Sequence, residues 1–222
     1  MDITGLQELA GIEVRKAGVR IGALVTHARI ESAPEVAKYL PLLAQAAPHI
    51  AHVAIRNAGT FGGSLAFADP AAEWPACCLA LEAQIVLASA KGERRIAAAD
   101  FFKGLYTTAL APGELVVAAE FPLPGKDARG TFLELVRRRG DYAIVGLAAQ
   151  RNGSGLRLAF LGAGATPVLA RHAAAAANPK LAAEALEKDL DPPADLYHSS
   201  ATKLHLAKVL LGRAWNTLST PR

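Results

Sequence analysis

The stretch AIRNAGTFGGSLAFADPAAEWP at residues 54–75 constrains the fold more than any other part of the sequence. Its centre is T-F-G-G-S at Thr60–Ser64, which directly follows Gly59. Glycine lets the backbone approach another group closely or adopt a positive φ, and successive N–H groups in such a turn can form an anion-binding concavity. The two hydroxyls would add hydrogen bonds to phosphate oxygens. The residues alone leave two interpretations open, a tight turn or a phosphate cradle.

Two better-known phosphate motifs do not fit the sequence. No Gly-Lys-Ser/Thr follows the glycines, so the stretch is not a Walker loop. GAGAT at Gly162–Thr166 resembles part of a dinucleotide fingerprint, but Pro167 stands at the third glycine position. A turn from a strand to a helix is the favoured interpretation there.

Composition excludes several classes of protein. The chain has 222 residues and is 52% hydrophobic, enough for one large domain or two small ones around a sizeable core. No apolar run can span a bilayer, and MDITGLQELAG lacks the basic start of a signal peptide; we therefore expect a cytoplasmic protein. The charge of +4 is spread along the chain and aromatic residues are only 6%, which argues against nucleic-acid binding.

The cysteines and histidines predict no metal site in this chain. Cys77 and Cys78 are adjacent and are the only cysteines, so they lack the spacing of zinc or iron-sulfur ligand pairs. The sequence around them predicts a buried helix in which both cysteines act as small hydrophobic residues. The six histidines form no ligand pattern, and no residue stands out as a catalytic acid or base.

Hydrophobic periodicity predicts an α+β protein in which strands precede helices. Glycine turns indicate two hairpins, one at residues 12–24 and one around Asn152-Gly153. We expect further strands and helices as follows: strands at 83–89, 113–124, 131–139, 142–151 and 156–164, and helices at 70–83, 167–177, 180–188 and 199–214. The segment 122–130, rich in proline and glycine, is the expected domain boundary.

Beyond its glycines, IRNAGTFGGSLAFADPAAEWPA resembles the FAD-binding (medium) subunit of molybdenum hydroxylases, the carbon monoxide dehydrogenase and xanthine dehydrogenase family. That family's pattern is I-R-N-x-G-T-[IL]-G-G-[NS]-L-A-x-A-D-P-A-x-[DE]-x-P. Further segments are similar to the family in the same order: VRIGALVTHARIE, AAADFFKGLYTTALAPGELVVAAEFPLP, LELVRRRGDYAIVGLAA and LHLAKVLLGRA. The resemblance covers essentially the whole chain.

The resemblance implies two domains of an α+β flavoprotein. Residues 1–124 would be a truncated FAD-binding domain of the PCMH/VAO-like type. Residues 125–222 would be a CO dehydrogenase flavoprotein C-terminal-like domain, a three-stranded antiparallel sheet with helices. Family members normally begin with a few dozen further residues that carry a first FAD loop, A-G-G-[TQ]-[SD]-L. Met1 aligns just after that segment, so we expect the chain as given to hold half of the phosphate site.

The resemblance also implies a cofactor site, residue by residue. The site residues are Thr60, Gly62, Gly63 and Ser64 for the FAD pyrophosphate, Glu73 on the ribose and phosphate side, Ile50 and Val116 as apolar lining, and Asp141 and Tyr142 of the D-Y-A motif. The Tyr142 ring would lie against the isoalloxazine; an ordinary strand tyrosine is the alternative. Arg137–Arg139 would stabilise charge on the flavin, contact a partner subunit, or form a solvated strand end.

The implied function is electron transfer. Electrons would pass from molybdenum in a large molybdopterin subunit, through 2Fe-2S clusters in a small iron-sulfur subunit, to FAD here and then to an external acceptor. The alternative is a non-catalytic docking subunit, or a truncated remnant, that binds no flavin. The substrate, the acceptor and any homo-oligomer stay open.

Overall fold

Two antiparallel sheets organise the chain, and a computed structural model describes residues 2–153 and 155–219. The strands are β1 (Ile12–Arg15), β2 (Gly18–Gly22), β3 (Gln84–Ser89), β4 (Gly92–Ala97), β5 (Phe102–Gly104), β6 (Thr107–Thr108), β7 (Leu115–Pro122), β8 (Arg129–Leu135), β9 (Val145–Asn152), β10 (Gly155–Leu161) and β11 (Val168–Leu169). The first sheet has the order β1-β2-β7-β3-β4 and the second β11-β10-β9-β8, while β5 pairs with β6.

The helices are short except near the end of the chain. They are α1 (His27–Ser32), α2 (Pro34–Tyr39), α3 (Pro41–Ala46), α4 (Val53–Ala58), α5 (Phe61–Phe67), α6 (Glu73–Ala80), α7 (Ala98–Phe101), α8 (Arg171–Ala174), α9 (Pro179–Asp189) and α10 (Ser200–Ser219). Proline opens α2, α3 and α9, where its missing N–H costs no helical hydrogen bond. Within the described residues, no helix is long and apolar enough to cross a membrane.

Helix α6 lies in the centre of the molecule. All eight of its residues are buried, and they pack against α3, α5 and the strands β9 and β10. Cys77 and Cys78 are fully buried there, which confirms their prediction as core residues.

The second sheet separates two hydrophobic cores. Alternate side chains of a strand point to opposite faces, so Ala159 and Leu161 of β10 join the core around α6. Leu158 and Phe160 instead face α9 and α10. One sheet therefore ties the C-terminal helices to the first part of the chain.

The structure confirms the α+β class and corrects two predicted elements. The helix expected from Pro70 begins at Glu73, because the Asp69 carboxylate accepts the Ala71 N–H at 2.8 Å and forms a turn first. The helix expected at 167–177 contains a strand, since Val168 pairs with Phe160 across the sheet. The second sheet therefore has four strands instead of the expected three.

A third correction concerns the loop between β8 and β9. The strands expected at 131–139 and 142–151 stop at Leu135 and begin at Val145. Residues 136–144 instead form a loop, closed by the Ile144 N–H bond to the Leu135 carbonyl at 2.9 Å. Tyr142 is therefore a loop residue and not an ordinary strand tyrosine. Ser154 of the predicted NGSG turn lies outside the described residues.

Candidate functional site

A cavity of about 380 Å³ opens where three segments meet: the turn between α4 and α5, the start of α6, and the loop at 136–144. The turn is brought to this place by an antiparallel bridge between Thr26 and Thr60. The lining residues are His27, Ile50, Ala51, Ile55, Gly59, Thr60, Gly63, Ser64, Phe67, Asp69, Ala72, Glu73, Gly140, Asp141 and Tyr142.

Several backbone N–H groups of residues 59–64, here called the glycine turn, already donate hydrogen bonds within the protein. The N–H groups of Phe61 and Gly62 donate to the Val25 and Ala23 carbonyls, both at 2.8 Å. The Thr60 hydroxyl caps α5 by accepting the Gly63 N–H at 3.2 Å. The N–H groups of Phe61 and Gly62 are therefore not free to bind an anion, contrary to the expectation from the sequence. The polar side chains that the glycine turn presents to the cavity are the hydroxyls of Thr60 and Ser64.

Seven of the nine predicted site residues line the cavity: Ile50, Thr60, Gly63, Ser64, Glu73, Asp141 and Tyr142. Gly62 and Val116 do not. A Cβ on Gly62 would lie 2.4 Å from the Ala23 Cβ, so this glycine is needed for the close packing of α5. Val116 is 5% exposed and belongs to the core around α6. For these two residues the structure shows a packing role, and a cofactor role stays a prediction.

Two buried carboxyl groups stand side by side in the wall. Burial raises the pKa of Glu73 to about 7, and the charge of Asp69 adds to the rise. Asp69 accepts the Ala71 N–H and the Tyr106 hydroxyl, the latter at 3.3 Å. Carboxyl groups in such surroundings bind sugar hydroxyls well but repel phosphate, so we assign them to the hydroxyl-rich part of a ligand.

The cavity lining also includes large apolar side chains that are exposed. Ile55, Phe67 and Tyr142 are 56%, 57% and 62% exposed. The rings of Phe67 and Tyr106 contact each other at a tilt of 45°, with centroids 5.0 Å apart. Large apolar side chains left exposed around a cavity mark a surface that a ligand or partner covers. Tyrosine offers a flat apolar face to such a ligand.

Residues with strained backbone surround the same cavity. Ala51, Ala68 and Tyr106 have φ of 42°, 55° and 52°, in the left-handed region that ordinary residues avoid. Ala51 lines the cavity and Ala68 ends helix α5 beside it. Such conformations persist where surrounding contacts enforce them, and they cluster at functional sites.

The sequence did not reveal three of the residues that shape the wall. His27, Asp69 and Arg56 contribute to the site although none was predicted there. Asp69 and Arg56 lie within the motif at residues 54–75, so the motif itself could have indicated them as site residues. His27 lies far from the motif in sequence and is placed beside it by the bridge between Thr26 and Thr60.

Comparison with known proteins identifies the family. Residues 1–124 match the family described as "FAD binding domain in molybdopterin dehydrogenase". The chain belongs to this family. Residues 130–218 match the "CO dehydrogenase flavoprotein C-terminal domain", so the resemblance predicted from the sequence is confirmed, as is FAD as the cofactor of the family.

Individual relatives agree with the family assignment. The chain is 34% identical to the alpha subunit of the 6-hydroxypseudooxynicotine dehydrogenase complex of Paenarthrobacter nicotinovorans, over 96% of this chain and 77% of that protein. It is 36% identical to the glyceraldehyde dehydrogenase medium chain of Sulfolobus acidocaldarius, over 99% and 82%. A chain of carbon monoxide dehydrogenase from Hydrogenophaga pseudoflava superimposes with a TM-score of 0.90, at 32% identity, over 96% of this chain and 78% of that chain. These relatives are dehydrogenase subunits, and this FAD-binding chain is of the same oxidoreductase type.

The residues of the cavity fit the cofactor of the family. A dinucleotide of flavin needs hydrogen-bond donors for its phosphates, acceptors for its sugar hydroxyls and an apolar surface for its ring. Ser64 and Thr60 would supply the first, Asp69 and Glu73 the second, and Tyr142 with the neighbouring apolar side chains the third.

Proposed function

We propose that this chain is the electron-transfer subunit of a molybdenum hydroxylase complex and holds FAD in the cavity between the glycine turn and the loop at 136–144. The single observation that carries the proposal is the convergence of hydroxyl, carboxyl and exposed apolar groups from separate segments on one cavity. When bound, FAD would supply the redox chemistry, and the protein would supply position and electrostatics.

Each wall of the cavity has a proposed task. Thr60, Gly63 and Ser64 bind the pyrophosphate, and Glu73 binds the ribose side. Ile50 contributes apolar lining. In the loop at 136–144, the ring of Tyr142 lies against the isoalloxazine, and Asp141 fixes the backbone turn that precedes Tyr142. The strain at Ala51 and the exposed apolar side chains of the lining support a site that is completed by its ligand.

The proposal extends to partners and to location. The related proteins are called alpha, beta or medium subunits, which supports a complex with a large molybdopterin subunit and a small 2Fe-2S subunit. Relatives at 31–36% identity bear the names of enzymes that act on different compounds, so we assign the choice of substrate to another subunit. We further propose a cytoplasmic location and two structural units, 1–124 and 125–222.

An absorbance spectrum of the purified chain, before and after addition of FAD and desalting, tests the proposal. We expect a retained flavin band whose shape differs from that of free FAD. Ser64→Ala should reduce the retained flavin because it removes a hydroxyl from the cavity. Ser32→Ala, which alters an exposed hydroxyl bonded to the Ala28 carbonyl at 3.0 Å, is the matched control and should retain flavin like the unaltered chain.

The alternative, a docking subunit without flavin, predicts a different result. A folded chain that retains no flavin band would contradict FAD binding and favour that alternative. Equal retention by Ser64→Ala and Ser32→Ala would leave FAD binding intact but remove Ser64 from the site.

A further inference from the structure

His27 is a buried polar side chain in the wall of the cavity whose protonation pattern is fixed by a neighbour. It is 6% exposed, and its Nδ1 lies 2.9 Å from the indole Nε1 of Trp74. An indole N–H can only donate, so Nδ1 of His27 must be the acceptor. In the neutral ring the single proton therefore resides on Nε2.

The ring is neutral across the physiological range. Burial and, to a smaller extent, the positive charge of Arg56 lower the pKa of His27 to about 4. The side chain thus offers one hydrogen-bond donor, Nε2–H, at any pH at which the protein would function.

The Nε2 atom faces the glycine turn and the cavity. A Cβ added to Gly59 would lie 2.7 Å from it, so only glycine leaves the space in front of Nε2 open. The backbone fixes the two segments together, since the His27 N–H donates to the Gly59 carbonyl at 3.1 Å. In the described part of the chain, residues 2–153 and 155–219, no protein atom accepts a hydrogen bond from Nε2.

We propose that His27 Nε2–H donates a hydrogen bond to a phosphate oxygen of the bound dinucleotide, beside the hydroxyls of Thr60 and Ser64, and that Trp74 is the positioning residue that holds His27 in this tautomer. The inference rests on the proposed function, because it names a contact within the same site. His27 lines the cavity, and its Nε2–H opens to that space instead of being sealed in the core, so a ligand oxygen in the cavity can accept its hydrogen bond.

A neutral donor suits this position. A full positive charge at residue 27 would be buried and would be repelled by the charge of Arg56, the two causes that lower the pKa of His27. A donor that carries no charge contacts phosphate without that repulsion. The ring keeps this donor between pH 6 and pH 8, whereas Glu73 of the same cavity has a pKa of about 7 and changes its charge in that range.

Calorimetric titration with FAD, ADP and riboflavin tests the proposed contact, since riboflavin lacks phosphate. His27→Phe keeps a ring of similar size but removes the donor. We expect it to weaken FAD and ADP binding by roughly ten- to a hundred-fold, the effect of one hydrogen bond to a charged group. Riboflavin binding should be unchanged. His205→Phe, at an exposed position of α10, is the matched control and should bind all three ligands like the unaltered chain.

The outcomes separate this inference from the proposed function. If the unaltered chain binds FAD and His27→Phe binds it equally tightly, the contact is wrong while the cofactor site stands. If His27→Phe weakens riboflavin as much as FAD, the donor serves the ring and not the phosphate, which also overturns the inference. If the unaltered chain binds none of the three ligands, the proposed function fails and the inference fails with it.

Histidine nitrogen NMR of the unaltered chain gives a test that does not depend on a variant that must fold. We expect the His27 signals of a neutral ring protonated at Nε2, and a shift of the Nε2–H resonance when ADP is added. Trp74→Phe should abolish the single tautomer, whereas Trp215→Phe should leave it unchanged. A proton on Nδ1 in the unaltered chain, or no response of Nε2 to ADP, would overturn the proposal.

Discussion

Arg56 shows how one side chain can hold the wall of a cavity. Its side chain is buried, and its Nη1 donates to the carbonyls of Ile50 and Ala51 at 3.0 and 3.2 Å. Its Nε donates to the Glu31 carboxylate at 2.8 Å. The guanidinium thereby fixes the segment in which Ala51 adopts a positive φ, because its planar set of donors can reach several acceptors at once.

Removal of that guanidinium should be costly. We expect Arg56→Met to lower the free energy of unfolding by about 3–5 kcal/mol, since it leaves two carbonyls and a carboxylate without their partner. Urea denaturation measures the change. Arg29→Met is the control, because Arg29 pairs with Glu35 on an exposed surface and should shift the midpoint far less. Similar shifts for the two variants would contradict the role given to Arg56.

Glu134 makes the stability of the fold depend on pH. Its side chain is 1% exposed, and neither of its carboxylate oxygens has a hydrogen-bond partner among the residues that the structure describes. The nearest basic atom is Nδ1 of His49 at 3.9 Å. Burial raises the pKa of Glu134 to about 8, and the charge of Glu73 adds to the rise.

At Glu134 the folded state therefore binds more protons than the unfolded state between about pH 4.5 and pH 8, so this group lowers the free energy of unfolding as pH rises through that range. His27, whose pKa is lowered to about 4, acts in the opposite sense below pH 6.5. Glu134→Gln cannot ionise and should remove the contribution of this group, leaving that of Glu73, whose pKa is about 7. We expect a gain of about 1–3 kcal/mol at pH 8 relative to the unaltered chain. Urea titrations at several pH values check this. The exposed Glu184→Gln should keep the original slope. An equally steep slope in Glu134→Gln and in the unaltered chain would contradict the assignment.

At the scale of elements, sequence patterns predicted those helices and strands that local periodicity and turn residues determine. They failed where a contact between distant residues determines the structure. The first hairpin, the buried α6 cysteines and the last helices follow from periodicity and turn residues. The two-residue strand β11 could not be predicted, because its pairing with β10 outweighs the helical composition around it. His27 was missed for the same reason, since a bridge between distant residues brings it to the cavity.

Helix α5 offers a test of what its glycines do. At Gly62 a Cβ would lie 2.4 Å from the Ala23 Cβ, whereas at Gly212 in α10 no atom of residues 2–153 or 155–219 would lie within 4 Å of it. Both glycines are helical, so alanine would be intrinsically favoured at either by about 1 kcal/mol. We expect Gly212→Ala to raise the melting temperature and Gly62→Ala to lower it, because α5 must move away from the chain after β2. If both variants gained stability, the close packing of α5 would be wrong.

At the scale of the molecule, the two predicted units share a core. The Arg157 guanidinium of β10 donates to the Leu79 carbonyl at 2.9 Å, and the Gly162 N–H donates to the Pro70 carbonyl at 2.9 Å. In addition, the Gln45 side chain accepts the Phe132 N–H at 3.2 Å. The proposed boundary near residue 124 thus separates two segments of the sequence. In the fold, however, α6 packs with residues of both segments in one hydrophobic cluster.

We therefore expect the chain to unfold in a single transition. The two tryptophans report on the two parts, since Trp74 lies in α6 and Trp215 in α10. Trp215→Phe leaves the fluorescence of Trp74, and Trp74→Phe leaves that of Trp215. Within each variant, urea curves from fluorescence and from far-ultraviolet circular dichroism should coincide. A Trp215 signal that changes at lower urea than the dichroism would show that the C-terminal helices unfold separately, and that the shared core does not couple the two units.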